Sequence, residues 1–185
     1  MGRRPWPLPP NARVGTSSQR RRLQLVDAMS DVTAVDIRGN VPTRLEKLRA
    51  GQYEAVILAR AGLDRLAADV SDLTVIDLLG WDFLPAPGQG ALAVQCRTND
   101  TATAELVRSI HHEETAWCTD AERGLMRYFE GGCSLALGAL AASAGTEIEM
   151  SAIWFDDGGR RHWCGVAGAD AATVARRAFE SLMAC

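Results

Sequence analysis

Cys133 stands in the stretch Glu130-Gly131-Gly132-Cys133-Ser134. Two glycines ahead of it leave the backbone uncrowded and free to take positive φ, so a bulky partner can approach the sulfur closely. A helical pattern (Thr119 to Phe129) precedes the stretch and an apolar run (Leu135 to Ala142) follows it. That order puts the thiol on a loop at an element boundary, where binding and catalytic groups concentrate. A glycine cap followed by a buried cysteine acting as a small hydrophobe fits the same residues.

The other chemistry-bearing residues are cationic and hydroxylic, and they come earlier. Val14-Gly15-Thr16-Ser17-Ser18 reads as a strand end running into a helix N-terminus, with Thr16, Ser17 or Ser18 as the cap. The free N–H groups and positive potential of such a terminus suit an anion. Gln19-Arg20-Arg21-Arg22 fills the first turn. Cations there oppose the helix dipole, so they either face solvent or meet an anionic ligand. Arg38-Gly39-Asn40 follows a second strand, Arg44 lies in the first turn of the next helix, and Arg65 lies on a third, short helix.

The elements that position these residues alternate. Thr33 to Ile37 and Glu54 to Ala59 read as strands; helices run from the Ser cap to about Met29, from Pro42 to Ala50 with Gly51 as the stop, and from Ala61 to Ala68. Strand–helix alternation implies a parallel sheet with right-handed crossovers. Ligands of such sheets bind beyond the carboxyl ends of the strands, where Thr16–Ser18, Arg38–Asn40 and Arg60 fall. Leu84-Pro85-Ala86-Pro87-Gly88-Gln89-Gly90 then has the composition of a linker. A strand is expected over Ala91 to Cys96 and helices over Thr101 to His111 and Thr115 to Phe129. A three-stranded antiparallel meander (Ser134–Ala142, Glu147–Phe155, Arg160–Ala167) and a covering helix (Ala171 to Ala184) complete the chain. The boundaries are a Pro-rich lead-in over 1–12, an α/β lobe over 13–90, a strand and helix over 91–112, and an α+β domain over 113–185.

Composition narrows the function. With 47% hydrophobic and 23% charged residues the chain is ordinarily globular. No apolar run reaches the roughly 20 residues that span a bilayer, and the charged start is followed by no apolar signal core, so a cytoplasmic protein without membrane contact is expected. Cys96, Cys118, Cys133, Cys164 and Cys185 are odd in number, widely spread and without a C-x-x-C pair, which argues against a disulfide framework and a zinc site. The adjacent His111 and His112 point different ways on a helix and do not suit one metal. Residues 13–65 hold ten Arg/Lys against six Asp/Glu, whereas 66–185 hold eight against seventeen. A locally basic half in an acidic protein suits a small anionic molecule rather than nucleic acid.

Five stretches together resemble one family. Val14-Gly15-Thr16-Ser17-Ser18-Gln19-Arg20-Arg21, Ile37 through Leu45, Ile57 through Leu66, Leu84 through Arg97, and Glu130-Gly131-Gly132-Cys133 look like hydroxymethylbilane synthase, also called porphobilinogen deaminase. The resemblance runs in order over about residues 13 to 184. It implies two lobes like those of periplasmic binding proteins, of which the α/β part here is the second, and a small α+β domain carrying the cofactor cysteine. It also implies that residues 91–112 join the first lobe. The implied cofactor is a dipyrromethane bound covalently to Cys133. On it the family joins four porphobilinogen units head to tail, losing ammonia each time, before water releases the linear tetrapyrrole. By the same resemblance Arg20 and Arg21 hold cofactor carboxylates, while Arg38, Arg44 and Arg65 handle substrate and the growing polypyrrole. Thr16, Ser17 and Ser18 add donors, and Gly39 and Gly132 border the cofactor. Arginine suits these roles because it stays charged and grips a carboxylate with two hydrogen bonds.

The sequence also departs from that pattern. The stretch forming most of the first lobe, with the aspartate proposed to steer the pyrrole nitrogens, has no counterpart in it. Ala136 stands where the family usually has proline, and Pro42 and Arg60 occupy variable positions. The expectation is therefore a truncated family member. The alternatives are a non-catalytic tetrapyrrole- or anion-binding remnant, or a half-enzyme working beside a separate N-terminal domain. The strand at Ala91–Cys96, lacking its sheet, is expected to be an exposed edge.

Overall fold

The computed structural model describes residues 6–78, 80, 83–129 and 135–184. Two compact units result: one from the described residues of Met1–Leu84, Gly131–Gly138 and Ile153–His162, the other from those of Pro85–Glu130, Ala139–Ala152 and Trp163–Cys185.

The first unit contains β1 (Arg13–Gly15), α1 (Gln19–Ala28), β2 (Thr33–Val35), α2 (Val41–Arg49), β3 (Ala55–Val56) and α3 (Arg60–Arg65). The strands form a parallel sheet in the order β2-β1-β3, with Val14 opposite both Ala34 and Ala55. The central strand is the most buried, and Val14 is 1% exposed. It packs with Ala12, Leu25, Met29, Val32, Ala34, Ile57 and Phe83. Trp6 closes this core with its ring edge-on to Phe83, centroids 5.8 Å apart.

One face of α1 is buried yet polar. Gln24 donates from Nε2 to the Leu84 carbonyl at 3.1 Å and accepts the Leu84 N–H at 2.6 Å, and Arg20 Nη1 donates to the same carbonyl. The helix thus satisfies the backbone of Leu84 as a neighbouring strand would.

In the second unit α4 (Thr101–Arg108) precedes α5 (Glu113–Tyr128), and α6 (Ala171–Met183) packs along α5. His112 caps α5, its Nδ1 accepting the Thr115 N–H at 3.2 Å. Gly124 makes the close helix approach possible: a Cβ there would lie 2.9 Å from the Cβ of Ala175. Leu125, Val174, Ala178 and Leu182 are fully buried, and Phe179 stacks on Tyr128 with centroids 5.1 Å apart. The meander, whose strands draw residues from both units, is β4 (Leu137–Ala144), β5 (Glu147–Phe155) and β6 (Arg161–Gly168), antiparallel in the order β4-β5-β6. Along β5, Ile148, Met150 and Ala152 are buried while Glu147 and Glu149 are exposed, the alternation of a sheet with one wet face.

The strand expected over Ala91–Cys96 does not form; residues 91–97 belong to no strand. Alternating apolar residues make a strand only with a ladder partner, and no described strand pairs with this segment. Leu92 is left 77% exposed and Val94 55%. Helix α4 buries none of its residues. Within the parallel sheet the strands are shorter than the sequence suggests. β2 stops at Val35 because the Ile37 N–H goes to the Ser17 hydroxyl at 3.1 Å.

Candidate functional site

The β1–α1 turn is built from its own hydroxyls. The Thr16 N–H extends the ladder to the Val35 carbonyl at 2.8 Å, and Thr16 Oγ1 accepts the Ser18 N–H at 3.3 Å. Ser17 Oγ donates to the Ile37 carbonyl at 2.8 Å. Ser18 is the cap of α1, accepting the Arg21 N–H at 3.4 Å. Of the three cap candidates the structure selects Ser18, since Thr16 is 1% exposed and Ser17 ties the ends of β1 and β2.

The first-turn arginines differ from one another. Arg22 donates to the Ala34 carbonyl at 2.8 Å and pairs with Asp36 at 2.6 Å, so its charge is met within the protein. Arg20 is 5% exposed; burial first, and neighbouring Arg21 second, push its pKa down to about 10, which leaves it charged at neutral pH. Arg21 reaches across to the Ile57 carbonyl at 2.9 Å. Its pKa is lowered by burial and then by the positive charge of Arg44. Arg20, Arg21 and Arg44 therefore form one cluster of interacting charges near the N-terminal ends of α1 and α2.

The β2–α2 turn supplies the rest. Gly39 has φ +118°, and a Cβ there would lie 2.8 Å from Thr43 Cγ2, so no other residue fits without movement. Asn40 caps α2, accepting the Thr43 N–H at 3.0 Å and the Thr43 hydroxyl at 2.8 Å. Arg44 donates from Nε to the Gly39 carbonyl at 2.8 Å, which holds the guanidinium against the turn. The guanidinium of Arg38 is exposed and makes no hydrogen bond or ion pair with a described residue. Arg65, in the last turn of α3, is likewise exposed and unpaired among the described residues. Arg60, by contrast, pairs with Asp64 at 2.9 Å and Asp77 at 3.1 Å.

Cys133 and Gly132 lie outside the described residues. The described chain nearest them ends α5 at Tyr128 and begins β4 at Leu137. Ala136, at the family's usual proline position, is 5% exposed, and its carbonyl accepts the Phe155 N–H at 3.2 Å.

The structural roles of three residues went unread in the sequence. Asn40 carried a usable signal, a cap residue two places before a proline. Gln24 and Glu122, whose carboxylate accepts the Gly88 and Ala141 N–H groups, carried none, because a buried polar side chain is recognisable only once its backbone partners are placed.

Together these features describe an α/β lobe with arginines beyond the carboxyl ends of a parallel sheet, and a small α+β unit. Comparison with known proteins is specific. The family described as "Porphobilinogen deaminase, dipyromethane cofactor binding domain" matches residues 3–105, and "Porphobilinogen deaminase, C-terminal domain" matches residues 116–176. Porphobilinogen deaminase of Listeria innocua is 41% identical over 147 residues, covering 79% of this chain and 48% of that relative. That of Chlorobium chlorochromatii is 42% identical over 147 residues, covering 78% and 46%. That of Fusobacterium nucleatum subsp. nucleatum is 40% identical over 151 residues, covering 82% and 50%. The chain belongs to the porphobilinogen deaminase family and carries its dipyrromethane-binding and C-terminal domains. It spans about half the length of the curated relatives it matches. Among the described residues no helix is long and apolar enough to cross a membrane.

Proposed function

We propose that this chain supplies the cofactor-binding lobe and cofactor cysteine of a hydroxymethylbilane synthase, a cytoplasmic transferase that joins four porphobilinogen units with loss of ammonia. One observation carries the reading: Arg20, Arg21 and Arg44 come together near the N-terminal ends of α1 and α2, and Arg38 and Arg44 form no ion pair with a described carboxylate. Clustered cations raise one another's energy, and a polycarboxylate ligand relieves that cost. Dipyrromethane suits this donor set because it presents carboxylates to guanidiniums that bind them with two hydrogen bonds.

In this reading Arg20 and Arg21 hold the cofactor carboxylates, with Arg21 fixed in direction by the Ile57 carbonyl. Arg38, Arg44 and Arg65 bind substrate and growing polypyrrole, and Arg44 is aimed by its bond to the Gly39 carbonyl. Gly39 lets the turn approach the ligand closely. The hydroxyls of Ser17 and Ser18 shape the loop and the helix terminus whose N–H groups face the anion. Cys133, flanked by Gly132, is the covalent anchor: thiol plus aminomethylpyrrole gives a thioether plus ammonia. When bound, the cofactor supplies the terminal pyrrole carbon to which the next unit joins.

A half-enzyme whose other half is a separate polypeptide is a second reading; the chain as given spans about half of its relatives. Proton transfer and positioning need groups on opposite sides of the reacting carbon, and these contributions amount to orders of magnitude in rate. The purified 185-residue chain is accordingly expected to consume porphobilinogen negligibly alone, and to do so at an enzymatic rate, about 1 s⁻¹ or somewhat below, when a polypeptide spanning the relatives' remaining half is added. Steady hydroxymethylbilane production by the chain alone would refute the half-enzyme reading. No consumption in either arm would leave a non-catalytic binding protein.

A further inference from the structure

Helix α1 carries a buried amide that has no part in the reaction proposed above. Gln24 is 1% exposed and lies one turn after Arg20, so the two side chains share a helix face. Both reach Leu84, whose own side chain is buried in a cluster with Ala136, Ile153 and Phe155. All of these residues belong to the first unit.

The amide grips Leu84 on both sides of its Cα. Gln24 Oε1 accepts the Leu84 N–H at 2.6 Å, and Nε2 donates to the Leu84 carbonyl at 3.1 Å. Those two groups belong to successive planar peptide units, so the pair of bonds holds both φ and ψ of Leu84. Arg20 Nη1 donates to the same carbonyl. A carbonyl oxygen has two lone pairs. With the amide on one of them, the guanidinium is confined to the other. The Leu84 carbonyl is thus the point from which Arg20 is aimed, and Gln24 fixes that point.

We propose that Gln24 is a positioning residue for a ligand carboxylate: it sets the direction of the Arg20 guanidinium through the Leu84 carbonyl. This rests on the assignment of Arg20 to a cofactor carboxylate. A neutral amide is the side chain that suits the task. Glutamate could still accept the Leu84 N–H, but it has no donor for the carbonyl. Its charge would also pair with Arg20 one turn away and compete with the ligand for it. Methionine keeps the length of the side chain and makes neither bond.

The test measures calorimetric binding of a free dipyrromethane polycarboxylate to the full 185-residue chain, purified from a host that makes no porphobilinogen. Wild type is compared with Gln24→Met, Gln24→Glu, Arg20→Leu and the double variant Arg20→Leu/Gln24→Met. Each is measured at a temperature where urea unfolding shows it folded, so that a loss of stability alone leaves the affinity unmoved. Gln24→Met should bind about fivefold more weakly, the effect of one neutral hydrogen bond, and Gln24→Glu more weakly still. Arg20→Leu should lose about tenfold or more. Adding Gln24→Met to it should cost less than about twofold further, because the amide acts through a guanidinium already removed. The two Gln24 variants remove different bonds, so either one, folded, is decisive. Wild-type affinity in a folded Gln24 variant overturns the positioning role, and so do losses that simply add in the double variant. Unchanged affinity in Arg20→Leu, or no binding by wild type, overturns the Arg20 assignment itself and the positioning role with it, an outcome distinct from the other two.

Discussion

The loops at the strand ends and the segment from 91 to 110 belong to one chain but obey different rules. In the loops, polar groups are tied to one another: Ser17 to Ile37, Thr16 to Ser18, Asn40 to Thr43, Arg44 to Gly39 and Arg22 to Asp36. In the segment, apolar side chains face water. Leu92, Val94, Leu106 and Ile110 are 77%, 55%, 73% and 69% exposed, and α4 buries nothing. The first region builds its geometry from bonds within itself. The second has sequence patterns suited to burial and no described partner to bury against.

Arginine replacements sharpen that contrast most. Arg20→Leu removes a buried donor from the Leu84 carbonyl and should destabilise the fold by about 1.5–3 kcal/mol, the range for a charged hydrogen bond, as read from urea unfolding. Arg38→Leu should leave stability within about 0.5 kcal/mol, as surface changes do, yet weaken calorimetric binding of a polycarboxylate pyrrole by about 1.5–3 kcal/mol. Arg38→Lys should recover only part of that, because lysine cannot make the bidentate contact. Equal stability losses at the two sites, or unchanged binding in Arg38→Leu, would break the distinction between an arginine that also holds the fold and one that serves only the ligand.

The second region makes the opposite prediction. Leu92→Glu or Val94→Lys should change unfolding free energy by less than about 0.5 kcal/mol, because neither side chain is packed. Either substitution should shift any concentration-dependent sedimentation of the chain toward monomer. A clear loss of stability would mean that the segment is buried after all.

The smallest effect concerns pH. Arg13 bonds Glu54 through its side chain and its backbone N–H, and these bonds hold the Glu54 carboxyl at about 2 against an ordinary 4.5. A folded-state pKa below the unfolded one gives stability that is complete above the unfolded value and lost as pH falls through the folded value. Glu54→Gln should therefore flatten the stability profile between about pH 4.5 and pH 2 and leave it unchanged above. The pair is exposed, so the change is small; a profile unaltered by the substitution would show that the ion pair contributes nothing.

The sequence displayed most of the fold because its signals are local. Ser18 at the cap of α1, Pro42 in the first turn of α2 and Gly51 after its end mark boundaries through backbone geometry alone. It also displayed where Arg20, Arg21, Arg38 and Arg44 fall, since Arg20, Arg21 and Arg44 sit near the starts of helices that follow strands and Arg38 on the loop after β2. It did not display the buried polar contacts of Gln24 and Glu122, whose partners are backbone groups 60 and 19 residues away. It misled at Ala91–Cys96, where alternating apolar residues announced a strand that depends on a neighbour.

The most direct test of the cofactor assignment is the intact mass of the purified chain, followed by peptide mapping. The account predicts an increment of one dipyrromethane on Cys133, absent from Cys133→Ser. An adduct on Cys96 or Cys118 instead, or an increment that survives Cys133→Ser, would contradict it.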